Sequence, residues 1–232
     1  MTVLSALQSA SIRLVGTRPT EFMTATDGIE IELADLAKEA ALDIAKKHDW
    51  RALTALGTLS GDGTTVDFSL PADFGRLPKK SAVWSTEWDG MYFEPARDLD
   101  HWYYLKQFLT PGSPGYWMML SGYMSIFPAM DSGETAQFYY ISKNLALSSA
   151  SVVKEAFTAD TDTFRLPERL LTLAVIWRWR QQKRLEYAED MQNFEIALSE
   201  EIRADGGKRI ISVGRRTKPN DAVYSFPGVI TP

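Results

Sequence analysis

The feature that most restricts the fold is a change in hydrophobic period along the chain, from helical to strand-like and back. A first short helix is predicted over Ser5–Val15, and a regular 3.6-residue apolar pattern predicts a longer one over Ile29–His48. From Arg51 to Ser142, short apolar runs alternate with turn residues, which predicts strands. The helical period returns after Leu166. We therefore predict an α+β fold, a helical bundle from the N- and C-terminal helices with an inserted small antiparallel β domain.

The domain boundaries follow from these changes of period. Residues 1–50 and 143–206 form the predicted helical body, and residues 51–142 form a β-sandwich or barrel-like domain. Residues 207–232 form an extended C-terminal arm, because its prolines exclude a helix there. The arm is too apolar for a solvated disordered tail and too short to fold alone, so it needs a surface to lie on.

Local signals refine this outline. The Asp62-Gly63 pair predicts a hairpin turn between two short strands. Asp98 is the expected cap of a short helix within the β domain. The segment from Lys143 to Thr163 is interpreted as a polar connection with weak helical character. One long helix is predicted from Leu166 to Ala204, with Pro167 in its first turn.

Charge is distributed unevenly along the chain. The formal net charge is −5 at pH 7, which argues against a general nucleic-acid binder. From Gly206 onward there are five basic residues and one acidic residue, a net charge of +4, which leaves −9 for the first 205 residues. An acidic body with a basic tail suggests that the tail has its own partner.

The residues give no support for catalysis. The chain has no cysteine and only two histidines, His48 and His101, in separate segments, so a zinc site is not expected. Nucleotide-binding, nucleophile-elbow and zinc-protease motifs do not occur. We expect no catalytic residues, no cofactor and no metal. No membrane association is expected either, because the longest strongly apolar run, Leu170–Trp177, is far below the ~20 residues of a membrane span, and the N-terminus is a poor signal peptide.

The helix after Leu166 carries two tryptophans among arginines. On a helix Trp177 and Trp179 point about 200° apart, so they cannot share a face. Acidic residues follow the basic ones within a turn or two, which favours a salt-bridged packing helix over a DNA-binding face. The residues assigned to helix packing or to an interface are Trp177, Trp179, Arg180, Arg184, Met191 and Phe194.

Two other classes of function stay open at this point. The dense aromatic residues between Trp84 and Trp117 could form a carbohydrate-binding surface, although a β domain of this size also uses aromatics as core. A DNA-binding protein acting through the basic tail and the Arg178–Arg184 segment is the other alternative. Three coplanar, exposed aromatics on one sheet face would favour the first, and salt-sensitive DNA retention the second.

Several stretches, in this order, carry a resemblance to a known family. They are ALDIAKKHDWRALT leading into GDGTTVDFSLPADF, then GETAQFYYISKN, then the long stretch from LPERLLTLAVIWRWRQQ to GGKRIISVG. Together they span about Ala41 to Gly214, and residues 1–28 carry no part of the resemblance. The chain resembles the head-to-tail adaptor proteins of tailed bacteriophages, and is most similar to the short-tailed phage type, also called tail tubular protein A.

The resemblance implies a structural virion protein without catalysis, assembled in the host bacterial cytoplasm. Such adaptors form a ring, usually of twelve subunits, beneath the portal protein. The ring forms after DNA packaging, extends the channel through which double-stranded DNA is ejected, and supports the tail nozzle or tube protein. An acidic body suits this role because DNA phosphates can slide past it without sticking.

The resemblance also implies roles for two segments of this chain. The Leu166–Ala204 helix would belong to the ring body, and Lys208–Pro232 would dock on the portal. The implied portal or subunit contacts are Arg209, Ile210, Ile211, Val213, Arg215, Arg216, Tyr224 and Phe226.

Overall fold

The structure, a computed structural model, divides into two compact units. The helical unit consists of the chain up to Thr54 and the described chain from Ile141 onward, and the β unit spans Ala55–Tyr140. The described residues are 2–26, 28–79, 81–87, 91–108 and 115–206. In these ranges the chain forms five α-helices: α1 (Val3–Val15), α2 (Gly28–Lys47), α3 (Leu99–Phe108), α4 (Glu168–Gln182) and α5 (Ala188–Gly206).

The two N-terminal helices predicted from the sequence are confirmed. α2 buries Leu33, Ala37 and Ile44 on the predicted apolar face. α1 ends at Gly16, whose φ of 76° is left-handed and whose N–H donates to Ile12 O at 3.1 Å. Glycine suits this position because a Cβ atom would make the left-handed backbone costly. Both helices contribute to the core of the helical unit together with α4 and α5.

The prediction of one long helix from Leu166 to Ala204 is wrong. α4 ends at Gln182, the chain turns through Arg184 with a φ of 58°, and α5 begins at Ala188. A straight helix over the predicted range would be about 58 Å long and would carry its second apolar half away from the first. The turn lets α5 fold back, so that Phe194 and Leu198 are buried in the same core as α4.

The segment between the β unit and α4 is also not the weakly helical connection that we expected. It forms a small antiparallel sheet with strand order β10-β9-β11, where β9 is Ala146–Leu147, β10 is Val153–Lys154 and β11 is Thr163–Phe164. The carboxylate of Asp162, only 1% exposed, accepts hydrogen bonds from Lys154 Nζ and from the backbone N–H groups of Thr158 and Ala159. This buried charge ties the polar segment together, which its hydrophobic pattern does not reveal.

The β unit contains the strands predicted from the alternating pattern. Its eight-stranded sheet, which continues at its ends slightly beyond the unit, has the order β1-β8-β4-β5-β6-β7-β2, with β3 paired to β8. The strands are β1 (Thr54–Ser60), β2 (Asp67–Ser69), β3 (Phe74–Arg76), β4 (Val83–Ser85), β5 (Tyr92–Pro95), β6 (Tyr116–Leu120), β7 (Tyr123–Phe127) and β8 (Thr135–Ser142).

Two features of the pairing differ from the predicted antiparallel hairpins. β1 and β2, which flank the Asp62-Gly63 turn, do not pair with each other; they stand at opposite ends of the strand order, so the predicted hairpin is wrong. β5 and β6 are parallel, with Glu94 opposite Tyr116. Parallel neighbours need a crossover connection, and α3 supplies it. The predicted cap of α3 is confirmed, since Asp98 Oδ1 accepts the N–H of His101 at 2.7 Å.

The predicted fold class, a helical bundle with a small inserted antiparallel β domain, is therefore wrong. The sheet is large, mixed and nearly closed into a barrel, and the helical part contains a second sheet. The interior of the β unit is filled by Phe68, Phe93, Met124 and Phe138, among others. Because each predicted strand is short, the sequence suggested a small inserted domain. In the structure, the strands together enclose one hydrophobic core. The predicted arm, residues 207–232, lies outside the described residues.

Candidate assembly surfaces

The two tryptophans of α4 point to different neighbouring helices. Trp177 packs against Phe194 of α5, with ring centroids 6.2 Å apart. The indole N–H of Trp179 donates to Glu32 Oε2 of α2 at 3.1 Å. The directions differ because the side chains two residues apart on a helix are separated by about 200°. One short stretch of sequence thereby holds α4 to both α2 and α5.

Arg178, between the two tryptophans, is paired across the α2–α4 contact. Its Nη1 lies 2.8 Å from Glu39 Oε1, and its Nη2 contacts Asp43 Oδ2. The guanidinium also lies over the ring of Trp177, 5.2 Å from the centroid. Only 14% of the Arg178 side chain is exposed. Its charge is therefore largely used within the helical unit.

Lys183 makes a second link from α4 to α2. Its Nζ lies 2.8 Å from Glu32 Oε1 and 5.7 Å from the centroid of the Trp179 ring. The hydrogen bond from Lys183 lowers the pKa of Glu32, with a smaller contribution from the Trp179 N–H. The Glu32 carboxylate is therefore ionised at neutral pH, and its pair with Lys183 links the N-terminal part of α2 to the C-terminal end of α4.

The remaining residues that the sequence assigned to an interface fall into two groups. Arg180 Nη1 lies 2.5 Å from Asp190 Oδ2 and links α4 to α5. Phe194 is buried against α4. Arg184 and Met191 are exposed, and Arg184 makes no ion pair with another described residue. The helix-packing residues are thus brought together, while Arg184 and Met191 face outward.

An open groove of about 790 Å³ runs between α2 and α4. We call it the acidic groove, because Glu32, Asp35 and Glu39 line it against one basic residue, Arg178. Asp35 is exposed and has no ionic partner among the described residues. Ile31, 45% exposed, adds an apolar contact at its edge.

A second open groove, of about 590 Å³, lies among α1, α4 and α5. We call it the basic groove, because Arg13 and Arg169 line it against one acidic residue, Glu168. Neither guanidinium makes an ion pair within the described ranges, and both side chains are exposed. Ile196 of α5, 49% exposed, is the apolar counterpart of Ile31 in this groove.

The outward side of α3 forms an aromatic surface on the β unit. Tyr103, Tyr104 and Phe108 are 58–67% exposed, and the rings of the last two lie 5.1 Å apart with their planes tilted by 36°. The opposite side of the helix is anchored by Trp102, which packs edge-on against Phe127 at 6.5 Å. The sequence placed these aromatics in the wider set between Trp84 and Trp117, without separating the helix from the strands, although four aromatics within ten residues of a short helix exceed what one buried side can hold.

Among the described residues, the neighbouring aromatics of β4 and β5 do not form a flat platform. Trp84 and Tyr92 are paired across β4 and β5, but their rings meet at 71°, in a T-shaped arrangement. Tyr139 of β8 is 56% exposed. Stacking of a sugar ring needs coplanar aromatic faces, so this arrangement does not favour the carbohydrate-binding alternative.

Three acidic residues of the β unit, Asp62, Asp73 and Glu134, accept hydrogen bonds from side chains of that unit. Asp62 accepts the N–H groups of Thr64 and Thr65, and the Thr65 hydroxyl at 2.6 Å, so the pKa of its carboxyl lies well below the ordinary value. Burial, aided by the hydrogen bond to Asp73, raises the pKa of Tyr140 to about 12. Glu134 accepts the Ser85 hydroxyl at 2.5 Å.

The two histidines and the metal-binding residue types stay dispersed. His48 Nε2 lies 3.1 Å from Asp205 Oδ2, near the ends of α2 and α5. His101 packs edge-on against Tyr116. In the described part of the chain there is no group of three or more metal-ligating side chains. Nor does any helix in these ranges have the length and apolarity to cross a bilayer.

The residues implied to dock on the portal, from Arg209 to Phe226, lie outside the described residues. The described residues of both units present open, partly apolar surfaces, and each unit has its own hydrophobic core. Clustered exposed apolar side chains are a common feature of surfaces that bind other chains.

The particular class follows from comparison with known families. A model of the SU10 adaptor protein family matches residues 1–219, including the N-terminal 28 residues that carry no resemblance by pattern. No curated protein matches the chain. The chain belongs to the SU10 adaptor protein family, a head-to-tail adaptor family of short-tailed phages, and the resemblance noted from the sequence is confirmed.

Family membership sets the broad role. The protein is a structural adaptor of a bacteriophage and a component of the virion, and it interacts with other head and tail components. A structural family of this kind also favours a role without catalysis.

Proposed function

We propose that the protein forms a ring of twelve copies beneath the portal, where it extends the DNA channel and supports the tail. The observation that carries this proposal is the presence of exposed aliphatic residues in two separate grooves, Ile31 in one and Ile196 in the other. A ring built head to tail needs two different surfaces on each subunit, because each copy contacts its two neighbours through different faces. The helical unit is the proposed ring body.

The basic C-terminal segment is the proposed portal-docking arm. Its composition supports this role, since the segment contains both basic residues, such as Arg209, Arg215 and Arg216, and apolar residues, such as Ile211 and Phe226. An extended peptide of this kind can add a strand to a partner and fill pockets with alternate side chains. The contacts proposed from the sequence, from Arg209 to Phe226, remain the candidate portal-binding residues.

The β unit is the proposed platform for the tail nozzle or tube protein. The exposed rings of Tyr103, Tyr104 and Phe108 support this, because aromatic residues are enriched at protein interfaces. For the channel, the acidic excess of the first 205 residues supports passage of double-stranded DNA without tight binding. Assembly in the bacterial cytoplasm, before the virion leaves the host, is part of the same proposal.

The proposal is tested by mixing the full chain with the portal protein of its phage. We expect native mass spectrometry and electron microscopy to detect a portal-bound ring of twelve copies. A variant truncated after Gly207 should keep the melting temperature of the full chain and lose portal attachment. If the truncated chain unfolds, the assignment of this segment as a docking arm is wrong, and the segment is instead part of a hydrophobic core of its own chain. A full chain that never forms a ring would contradict the proposal itself.

A further inference from the structure

The acidic and basic grooves lie on opposite sides of α4. The acidic groove uses Trp177, Arg178, Gln181 and Gln182, in the C-terminal half of the helix. The basic groove uses four residues of the N-terminal half, Glu168, Arg169, Thr172 and Leu173. At 100° per residue, the mean directions of the two sets differ by about 180°. The helical unit therefore presents two chemically different faces that point away from each other.

The unpaired charges of the two grooves are complementary. In the acidic groove, Glu32 and Glu39 already bind Lys183 and Arg178, which leaves Asp35 uncompensated. The basic groove offers two guanidinium groups, Arg13 and Arg169, without ionic partners among the described residues. Each groove also exposes one isoleucine, so apolar contact and charge pairing can occur together.

We propose that the acidic groove of one copy docks against the basic groove of the next, and that this contact is the subunit interface of the ring. Two different surfaces on opposite sides produce a head-to-tail contact, which closes into a ring when the rotation between neighbouring copies is a whole fraction of a turn. Charge complementarity sets the register, since like charges across an interface are strongly disfavoured. This inference rests on the proposed ring, and it assigns the residues that bring neighbouring copies together.

Charge reversal at one residue of each groove tests the assignment. Asp35→Lys and Arg169→Glu each place like charges across the proposed contact, so we expect each to lower the yield of rings by about tenfold or more. Both side chains are exposed, so the melting temperature should stay close to that of the wild type. Lys46→Glu is the matched control: it is exposed, reverses one charge and lies about three turns beyond Asp35 on α2, outside both grooves.

Rescue provides the more specific test. The double variant Asp35→Lys/Arg169→Glu restores opposite charges at each contact, so it should form rings again. A mixture of the two single variants should also form rings, with the variants alternating around the ring, although neither assembles alone. Arg13→Glu is a second variant of the basic groove, and it should weaken assembly in the same direction as Arg169→Glu.

The outcomes separate this inference from the proposed function. The readout is the ring fraction of the full chain, measured by sedimentation velocity and electron microscopy, alone and with the portal protein. If the wild type forms rings and the single charge-reversal variants form them equally well, the two grooves are not the subunit interface, but the proposed ring is still supported. If the single variants fail and neither the double variant nor the mixture recovers, direct pairing of the grooves is also wrong. If the wild type forms no ring in either condition, the proposed function is contradicted and this inference with it.

Discussion

Arg178 of α4 donates from Nη1 to Oε1 of Glu39 on α2 at 2.8 Å. The Arg178 side chain is 14% exposed, whereas the Glu39 side chain is 62% exposed. The arginine therefore depends on its protein partners, while water solvates most of the glutamate. The arginine is the anchored partner, held by Asp43 and the Trp177 ring as well. α2 and α4 are thereby fixed in register at the edge of the acidic groove.

Arg178→Ala should lower the free energy of unfolding by about 1–2 kcal/mol, because it removes two ion pairs and a cation–π contact. The matched variant Glu39→Gln should cost less than about 0.5 kcal/mol, since that carboxylate is mainly solvated. Urea unfolding followed by tryptophan fluorescence measures both values. Equal costs for the two variants would contradict an anchored arginine.

Trp177→Ala should lower the free energy of unfolding by about 3 kcal/mol, because the indole packs on Phe194 and closes the α4–α5 contact. Trp84→Ala makes the same chemical change on the outer face of the β unit, where the ring is 36% exposed. We expect that control to cost less than about 1 kcal/mol. An unchanged melting temperature for Trp177→Ala would mean that the indole does not pack in the core.

Asp162→Asn should destabilise the helical unit by about 3 kcal/mol at pH 7, because it leaves Lys154 without its buried partner. The control is Glu155→Gln, which removes the more exposed pair with Lys143 and should cost less than about 1 kcal/mol. Thermal and urea unfolding of the two variants provides the comparison. Similar losses of unfolding free energy in the two variants would contradict the inference that the buried Asp162 pair stabilises this segment more than the exposed pair does.

The same residue predicts a pH dependence. Burial opposes ionisation of Asp162, but the hydrogen bonds from Lys154, Thr158 and Ala159 outweigh it and lower its pKa. A carboxyl whose pKa is lowered on folding contributes its full stability above the unfolded value, about 3.9. That contribution is lost as the pH falls through the folded pKa. The difference in unfolding free energy between the wild type and Asp162→Asn should therefore shrink below about pH 4, and a constant difference from pH 7 to pH 3 would contradict it.

Gly57→Ala should destabilise the β unit by about 1–3 kcal/mol, because the added methyl group would overpack the core. A Cβ atom at this position in β1 would lie 2.7 Å from Cζ of Phe138, a fully buried ring that would have to shift to accommodate it. Thr58→Ala, at the neighbouring exposed position, is the control and should be close to neutral. A neutral Gly57→Ala in thermal unfolding would show that the ring can shift.

The full chain should retain little double-stranded DNA at about 150 mM salt, because most basic residues of the Arg178–Arg184 segment are neutralised by acidic partners. Arg178, Arg180 and Lys183 all make ion pairs, and Arg184 is the exception among the described residues. Filter binding at increasing salt measures retention. Tight, salt-sensitive binding would support the DNA-binding alternative instead.

Sequence periodicity was sufficient to predict secondary structure and buried faces where these depend on residues of the same segment. α2 could be placed from its apolar repeat, and the cap of α3 from Asp98, because both depend on neighbours within one or two turns. The burial of Ala136, Phe138 and Tyr140 on one side of β8 likewise follows from alternation. The break between α4 and α5 could not be placed, since residues 183–187 carry no glycine or proline and the apolar stripe continues across them.

The pairing of the strands could not be predicted from turn residues or from the alternation within each strand. Asp62 forms the turn that its sequence context predicts, yet the strands on either side pair with β8 and β7 rather than with each other. Hydrogen bonds between strands depend on how the whole sheet closes, and no property of the turn residues specifies that. The parallel pairing of β5 and β6 has the same origin, because it requires the intervening helix to pack back on the sheet.

The sequence by itself determined the membership of the chain in a phage adaptor family, the position of its helical and strand-forming segments, and the acidic body with a basic end. Only the tertiary structure decided which charges remain available to a partner. Arg178 and Arg169 look alike in the sequence, but α2 supplies carboxylates to the first and none of the described residues supplies one to the second. The physical reason is that charge pairing depends on distances of a few ångströms between helices, which are set by the packing of the core rather than by spacing along the chain.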